Sequence, residues 1–499
     1  MDDPASVSLT TTDNAGEWLA RDAERVIETS CARIYLFGDR ALKVKRPVML
    51  GFLDFSTAEK RRWALQRELT FNRATAPDIY RSLRAIKRRP DGGYGLDGPG
   101  ETVDWALEMR RFDDDAVLAN HPDWVTAELA ETLGRTIAMA HAEAPVSPSG
   151  GGLKAMAYTV ESNAGHLRTL ADRLGESAVE RVVAATDLAL AEQAPLLEAR
   201  RAAGFARRCH GDLHLGNILL ENNAPILFDC IEFNDALSEI DPLYDLAFLL
   251  MDLVFRGRRE AANRVLNAYL DEAARTFPAS LWAGLTAMPL MLSARATVRA
   301  HVSAATGDVA VARAYLVAAE QHLAAPPPRL FAVGGLSGSG KTTFARALAP
   351  QIPGAPGAVI LRTDEIRKRQ WGVRPLDRLP RSAYSAEASR RAYVELFALA
   401  DAVLATGRSV ILDAAFLTAA ERDRAETLGR RRGLSLQGVW MDGDAATLRR
   451  RLAARTGDAS DADGPVLDRQ LAGDQGAVSW RRLRSQSEID QALADLPGG

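Results

Sequence analysis

The chain has 499 residues, and its composition excludes several classes of protein. Its length predicts two to four domains, and a composition of 47% hydrophobic and 25% charged residues is typical of a folded protein in water. A net charge of −3 excludes a uniformly basic surface for nucleic acid. No apolar run approaches the roughly 18 residues of a membrane span, so no membrane partner is expected. Three cysteines without metal-ligand spacing, and a start at residues 1–4 unlike a signal peptide, predict a cytoplasmic protein.

The first 325 residues predict a small mixed lobe, to about residue 115, followed by a helical lobe over about 116–325. Two apolar runs at 32–37 and 40–44 flank Gly38-Asp39, which is a hairpin signal. The pattern further predicts a helix at 57–74, a strand at 102–112, helices at 126–142 and 155–206, strands at 217–220 and 225–231, and helices to about 322. The stretch 147–152, rich in Ser and Gly, predicts a flexible loop within this domain.

One chemical signature lies in the segment His210-Gly211-Asp212-Leu213-His214-Leu215-Gly216-Asn217. Asp212 and Asn217 stand five residues apart around a glycine-containing turn, and Asp229 ends the next apolar strand but one. In kinases, one aspartate lies near the attacking hydroxyl, while an asparagine and a second aspartate hold the metal. The pattern therefore predicts a phosphoryl-transfer site.

Residues 1–325 resemble the aminoglycoside phosphotransferase family, which shares the protein-kinase fold. The resemblance implies that Asp212 is the catalytic base and that Asn217 and Asp229 bind magnesium. Asp245 also matches a family position, and we interpret it as a helix-start and packing residue.

The same resemblance implies an ATP-binding lysine on the third strand of the small lobe. Lys43, in Ala41-Leu42-Lys43, is the first candidate, and Lys45, on the same strand face, is the second. The expected partner of the lysine is Glu68, with Glu59 as the alternative. The chain departs from the kinase pattern in one respect, because no Gly-rich loop precedes residues 33–35.

Three consecutive prolines at 326–328 predict a stiff linker between two domains. The following residues, 329–499, predict strands at 330–333, 358–361, 409–412 and 436–441, and helices near 342–349, 386–406, 419–432 and 444–454. This alternation predicts a parallel sheet covered by helices on both faces. Ligands of such sheets bind beyond the carboxyl ends of the strands.

A phosphate-binding loop is the most informative motif of the chain. It reads Gly335-Leu336-Ser337-Gly338-Ser339-Gly340-Lys341-Thr342 and continues with Thr343. It lies between an apolar strand and a helical segment, as this motif requires. Backbone N–H groups of the loop are expected to surround the phosphates of ATP or GTP. Lys341 is expected to reach the β- and γ-phosphates, and the Thr342 hydroxyl to bind Mg²⁺.

Acidic residues follow two strands of this second domain. Asp364 is predicted to accept a proton from a substrate hydroxyl, and Arg367, one helical turn on, to hold an anionic group of the substrate. The alternative for Asp364 is a cap on a helix beginning at Glu365. Asp413 is predicted to orient Mg²⁺ or its water, with a strand-end turn as the alternative.

An arginine-rich helix, residues 448–455, could stabilise charge on the phosphoryl group in flight. Arg451 and Arg455 share one face and are the chosen candidates, although such a run is often a solvated helix face. With this lid and Ser460-Asp461-Ala462 after it, residues 329–499 resemble P-loop kinases that phosphorylate hydroxyl groups, including polynucleotide kinase, gluconate kinase and zeta-toxin-like kinases. The resemblance implies that Asp364 is the general base and that lid arginines contact phosphates.

Together these features predict a protein-kinase-like two-lobed domain followed by a P-loop NTPase domain, an α+β and an α/β fold in one chain. The expected function is ATP-dependent phosphoryl transfer, with Mg²⁺, to hydroxyls of small molecules at two separate sites. In one alternative, the first half is a degenerate regulatory or substrate-binding module, and only the P-loop domain is an active ATPase or kinase. In a second, the P-loop domain is a kinase of nucleic-acid ends or a toxin-like ATPase. Arginines at 430–432 and 449–451 would then line a basic groove. The sequence predicts neither the acceptor nor the oligomeric state.

Overall fold

A computed structural model describes residues 14–29, 31–50, 53–324, 326–455 and 457–495. The chain forms two compact units, each assembled from several stretches. Unit 1 comprises Met1–Val125, Glu143–Thr159 and Gly204–Leu249, and unit 2 comprises Thr126–Ala142, Val160–Ala203 and Leu250–Gly499. Unit 2 thus joins helices from the first 325 residues to the second predicted domain. The acidic start of the chain and residue 325, where the first predicted domain ends, lie outside the described residues.

The N-terminal region is built on a six-stranded antiparallel sheet with the strand order β1-β2-β3-β8-β6-β7. The elements of this region are α1 (Asn14–Asp22), β1 (Arg25–Glu28), β2 (Ala32–Phe37), β3 (Arg40–Lys45), β4 (Met49–Leu50), β5 (Leu53–Asp54), α2 (Ala58–Asn72), β6 (Tyr80–Arg88), β7 (Tyr94–Leu96) and β8 (Glu101–Arg110). Gly38 makes the β2–β3 turn at a φ of 49°, a conformation that favours glycine. α2 packs Leu65 and Leu69 into the same apolar core as Leu107 of the sheet.

Helices dominate the chain from residue 127 to 323. The elements here are α3 (Ala127–Glu143), α4 (Gly152–Thr169), α5 (Ala171–Leu174), α6 (Glu176–Arg200), β9 (Arg207–Arg208), β10 (Ile218–Glu221), β11 (Ala224–Leu227), α7 (Asp235–Ser238), β12 (Glu239–Ile240), α8 (Pro242–Phe255), α9 (Arg259–Ala273), α10 (Met288–Ala305) and α11 (Val309–Leu323). The helical pattern predicted over 155–206 is divided into α4, α5 and α6, and Gly175, at a φ of 98°, separates α5 from α6. Among the helices that the structure describes, none is long and apolar enough to cross a bilayer.

The stretch predicted as a flexible loop, 147–152, is held closely within unit 1. The Ser147 hydroxyl donates to Glu239 at 2.6 Å and accepts from the Gly150 N–H at 3.1 Å. A Cβ at Gly151 would come 2.5 Å from the Cβ of Ala206, so the backbone approach needs glycine. The Ser and Gly composition therefore reflects close packing at this position.

The C-terminal region is a five-stranded sheet in which every strand pair is parallel, in the order β14-β15-β13-β16-β17. Its elements are β13 (Leu330–Gly335), α12 (Lys341–Leu348), β14 (Val359–Arg362), α13 (Thr363–Gln370), α14 (Ala386–Ala405), β15 (Val410–Asp413), α15 (Ala419–Arg431), β16 (Leu436–Met441), α16 (Ala445–Ala454), α17 (Gly464–Ala472), β17 (Arg481–Leu483) and α18 (Gln486–Ala494). All six residues of the central strand β13 are buried. The predicted parallel sheet and the mixed fold class are confirmed.

Candidate functional sites

In unit 1, the segment 210–217 forms a tight loop that brings Asp212 and Asn217 together. The Asn217 amide donates to the Asp212 carbonyl oxygen and to Asp212 Oδ2, both at 2.9 Å. The Asp212 side chain is 39% exposed, whereas Asn217 is buried. The amide therefore orients a carboxylate that an incoming molecule can still reach. The sequence analysis predicted that Asp212 and Asn217 meet around a glycine-containing turn. Their catalytic and metal-binding roles remain predictions.

Asp245, at the start of α8, holds this loop by hydrogen bonds to its backbone. Its buried carboxylate accepts from the N–H groups of His210 at 3.0 Å and Gly211 at 2.8 Å. Gly211 adopts a φ of 84°, and a Cβ there would come 2.8 Å from the Leu237 carbonyl oxygen. Asp245 is therefore more than the helix-start and packing residue suggested by the sequence, because it fixes the backbone directly before Asp212.

Lys43 on β3 joins two carboxylates of unit 1. Its ammonium group lies 2.5 Å from Glu68 on α2 and 2.9 Å from Asp229. Burial would lower the pKa of Lys43, but the carboxylates of Asp229 and Glu68 together raise it well above its ordinary value. Asp229 adopts a φ of 60°, which is rare for a residue with a side chain, and its N–H donates to the Tyr80 hydroxyl at 3.0 Å. The Asp229 side chain is 47% exposed, so it too is accessible.

Lys45, the second candidate, lies deeper in the same cluster. Its ammonium group contacts Glu68 at 2.8 Å and Glu232 at 2.6 Å. Both lysines thus share Glu68, but Lys43 is the one paired with Asp229. Glu59, the alternative partner, lies exposed in the first turn of α2. This geometry favours Lys43 and Glu68 as the ATP-binding pair. Glu232 was missed by the sequence analysis, because no motif includes it.

In unit 2, the predicted phosphate-binding loop connects β13 to α12, as the motif requires. Gly335, Gly338 and Gly340 have φ values of 138°, 81° and 93°. A Cβ at Gly335 would come 2.4 Å from the Met441 carbonyl oxygen. The loop is therefore a cradle that only glycines can form at these positions.

The lysine of this loop, Lys341, donates to the Leu336 carbonyl oxygen at 2.9 Å. Burial lowers its pKa, with Asp413 and Asp364 opposing that effect. The Ser337 N–H donates to Gln470 of α17 at 2.8 Å, a contact that the sequence did not predict. The lysine thus belongs to the loop's own hydrogen-bond structure.

The ends of β14 and β15 carry the acidic side of this site. The Thr342 hydroxyl donates to Asp413 Oδ2 at 2.6 Å. Arg362, which is 4% exposed, donates to Asp413 at 3.1 Å and to Thr342 at 3.2 Å, and it also contacts Asp458 at 3.2 Å. Sequence reasoning missed Arg362, because no spacing rule connects it to Thr342 and Asp413.

Asp364 and Arg367 lie on α13, which begins before Glu365, the helix start that the capping interpretation of Asp364 assumed. The helix starts at Thr363 and has no side-chain cap, so the interpretation of Asp364 as a cap is wrong. Arg367 is buried. Its guanidinium lies over the Tyr384 ring, 4.7 Å from the centroid, and donates to the Ala383 carbonyl oxygen at 2.5 Å.

The arginines of the predicted lid divide into two groups. Arg451 donates to the Ser339 carbonyl oxygen of the phosphate-binding loop at 3.5 Å, and Arg455 donates to the Ala462 carbonyl oxygen at 2.5 Å. Arg449 instead forms an exposed ion pair with Asp468 at 2.7 Å. Arg451 thus lies near the loop, whereas Arg449 is held by α17, and the charge-stabilising role of Arg451 and Arg455 stays a prediction.

Asp461, which follows the lid, joins it to the segment after α13. Its carboxylate contacts the buried ammonium group of Lys368 at 2.8 Å and accepts from the Tyr384 hydroxyl at 2.8 Å. It also accepts from the Leu379 N–H at 3.0 Å. A single carboxylate therefore ties the segment after the lid both to α13 and to the residues that follow α13.

Two protein-family models match the chain. A model described as "Phosphotransferase enzyme family" matches residues 54–281, and one described as "AAA domain" matches residues 330–475. Uncharacterized proteins from Mycobacterium tuberculosis and Mycobacterium bovis are each 31% identical to this chain over 460 residues, covering 88% of both chains. The predicted resemblance to a phosphotransferase followed by a P-loop kinase-like domain is confirmed.

Solved kinase structures are similar to separate parts of the chain. A choline kinase from Cryptosporidium parvum Iowa II is 11% identical, covers 62% of this chain and 94% of that chain, and gives a TM-score of 0.40. A gluconokinase from Sinorhizobium meliloti 1021 is 23% identical, covers 34% of this chain and 93% of that chain, and gives a TM-score of 0.24.

Proposed function

We propose that this chain is an ATP-dependent phosphotransferase with two nucleotide sites. The chain belongs to the same family as its mycobacterial relatives, and residues 54–281 match the phosphotransferase enzyme family. Each site moves the γ-phosphoryl group of ATP (or GTP) to a hydroxyl of a small molecule. The observation that carries the proposal is the Lys43 ammonium group between Glu68 and Asp229 in one unit, together with the glycine-bounded phosphate loop in the other.

At the first site, Asp212 accepts the proton of the acceptor hydroxyl, and the Asn217 amide holds its carboxylate in position. Lys43 presents a positive charge to the phosphates, since its raised pKa keeps it protonated. The oxygen atoms of Asn217 and Asp229 are the donor type that Mg²⁺ prefers. Asn217 ends the loop that carries Asp212, and Asp229 follows that loop in the chain. Magnesium bound there would neutralise charge on the phosphates.

At the second site, the loop N–H groups and Lys341 hold the phosphates, and Asp364 accepts the proton of the second acceptor. The hydroxyl of Thr342 and the carboxylate of Asp413, 2.6 Å apart, offer oxygen donors that fit Mg²⁺. Arg451, near the loop backbone, stabilises negative charge on the transferred group. Arg367, whose guanidinium group lies over the Tyr384 ring, helps to hold an anionic group of the acceptor.

The test is an ATP-consumption screen of the full chain against a panel of small hydroxyl compounds, with Asp212→Ala and Lys341→Ala as parallel variants. An acceptor used by the first site is expected to lose turnover only with Asp212→Ala. One used by the second site is expected to lose it only with Lys341→Ala. A panel of sugars, nucleosides and amino alcohols that gives no acceptor-dependent turnover would contradict the proposal.

The alternative, action of the second site on nucleic-acid ends, needs unpaired positive charge along residues 430–432 and 449–451. Arg432 is paired with Asp401 at 2.6 Å, and Arg449 with Asp468 at 2.7 Å. These pairs reduce the charge available to a phosphate backbone, which supports a small acceptor. Oligonucleotide binding that falls steeply with salt concentration would favour the alternative instead.

A further inference from the structure

Helix α9, which lies in the stretch matched by the phosphotransferase family, covers the open edge of the P-loop sheet. Both elements belong to unit 2. Strand β14 is the edge strand and pairs only with β15 within the described sheet. The Asn267 side chain accepts from the Ile360 N–H at 2.7 Å and donates to the Ala358 carbonyl oxygen at 3.3 Å. Asn263, one turn earlier, donates to the same oxygen at 2.9 Å.

These contacts replace a missing neighbouring strand. An edge strand presents unpaired N–H and C=O groups, and a side-chain amide offers the same donor and acceptor as a peptide group. Asn263 is buried, and a Cβ at Gly357, just before β14, would come 2.9 Å from its Nδ2. The close approach shows that α9 and β14 are fitted to each other.

Strand β14 ends in Arg362, the residue that contacts both proposed metal ligands of the second site. Its guanidinium group donates to Asp413 and to Thr342. Because only one residue separates Ile360 from Arg362, a displacement of the strand edge moves the Arg362 backbone. The register of β14 therefore sets where the guanidinium group meets Thr342 and Asp413.

A second contact fixes the helix of the phosphate-binding loop to the same helical region. Arg346 on α12 pairs with Glu131 on α3 at 2.8 Å, and Glu131 also pairs with Arg264 on α9 at 3.2 Å. α12 begins at Lys341 and carries Thr342. Both sides of the proposed metal site, the loop helix and the edge strand, are thus held by helices that come before the proline linker.

We propose that Asn267, supported by Asn263, is a positioning residue for the P-loop site, so that helices of the phosphotransferase half complete the metal-binding geometry of the other half. The inference rests on the proposed function of that site. It predicts that binding of Mg·nucleotide to the P-loop depends on a residue of another family domain that touches neither the nucleotide nor the metal.

The test uses the full chain and the non-hydrolysable analogue AMP-PNP, with Mg²⁺ as the titrant. Hydrogen–deuterium exchange reports protection of the peptide covering 335–342, which localises binding to this site, and exchange of the Ile360 amide. Asn267→Leu keeps the side-chain size but removes donor and acceptor. We expect faster exchange at Ile360 and a rise of about three- to tenfold in the Mg²⁺ concentration for half-protection, from the loss of one or two net hydrogen bonds.

The matched control is Arg275→Gln, because Arg275, just after α9 in the same unit, donates to the Val373 carbonyl oxygen at 2.7 Å, beyond the end of α13. Its Mg²⁺ midpoint is expected to stay within about twofold of the unsubstituted chain. If Asn267→Leu does not fold, Asn267→Asp keeps the acceptor for Ile360 and removes the donor, with an expected rise of about threefold.

Three outcomes distinguish the coupling through Asn267 from the proposed function of the P-loop site. A raised midpoint for the Asn267 variant, with an unchanged control, supports the coupling. Faster exchange at Ile360 with an unchanged midpoint overturns the coupling while leaving the nucleotide site intact. Failure of AMP-PNP and Mg²⁺ to protect residues 335–342 in the unsubstituted chain overturns the proposed function of the site and the coupling with it.

Discussion

Glu68 is the carboxylate that holds the lysine cluster of the first site together. The change in stability on replacing it can be derived from the structure. The side chain is 0% exposed and contacts the ammonium groups of Lys43 and Lys45. Burial alone would raise its pKa, but the two lysines lower it from 4.5 to about 2. At about 1.36 kcal/mol per pKa unit, that depression corresponds to about 3 kcal/mol of stabilisation.

We therefore expect Glu68→Gln to lower the free energy of unfolding of unit 1 by about 3 kcal/mol, because two buried ammonium groups lose their shared counter-charge. Urea denaturation at pH 7, followed by hydrogen exchange of peptides from α2 and β3, measures the change. Glu59→Gln, exposed at the start of the same helix, is the control and is expected to change stability by less than about 0.5 kcal/mol.

The difference in stability between the unsubstituted chain and the Glu68→Gln variant also depends on pH in a defined direction. The folded pKa of Glu68 is depressed, so the stabilisation is fully present above pH 4.5 and is lost as the pH falls toward about 2. The two stability curves should converge through that window. Equal stability of the two proteins at pH 7, or a difference that grows on acidification, would refute the reasoning about this cluster.

Three further changes test other parts of the molecule. Asp245→Ala removes the acceptor for two loop N–H groups and should lower kcat at the first site about tenfold while calorimetric ATP binding changes less than about twofold; equal loss of both would argue for general unfolding. Gly335→Ala should abolish nucleotide protection of the P-loop, because its Cβ would meet a carbonyl oxygen at 2.4 Å, whereas Gly464→Ala, in open space, should not. Asp461→Ala removes the carboxylate partner of the buried Lys368 ammonium group, which still donates to the Asp377 carbonyl oxygen, and should cost about 3 kcal/mol in thermal denaturation; a change below about 0.5 kcal/mol would show that the pair is already hydrated.

The parts of the sites that could be predicted are those in which a short motif dictates the backbone. The glycines of 335–342 need positive φ, and Asp212 and Asn217 meet around a turn that both residues define. The Lys43–Glu68 pair needed in addition the resemblance to the aminoglycoside phosphotransferase family, which implies a lysine on the third strand and a glutamate partner on the following helix. For such residues, the local sequence contains most of the physical information.

The parts that could not be predicted depend on packing between distant stretches. Arg362 meets Thr342, 20 residues away, and Asp413, 51 residues away, and no spacing rule connects them. Asp245 reaches a loop about 35 residues earlier through a buried hydrogen bond that composition does not reveal. Asn267 resembles any polar residue on a helix until the strand edge beside it is known. Tertiary contact, rather than local propensity, gives these residues their importance.

The interleaving of the two units has a consequence for how the protein is made. Unit 2 needs stretches beginning at Thr126 and Val160, yet its edge strand β14 leaves the ribosome much later. During synthesis, α9 must wait with Asn263 and Asn267 exposed and without the backbone groups that satisfy them. Unit 1 has all of its stretches once Leu249 has been made, whereas unit 2 is expected to finish folding only after β14 has emerged. Separating the chain at the prolines would leave each product with only part of unit 2.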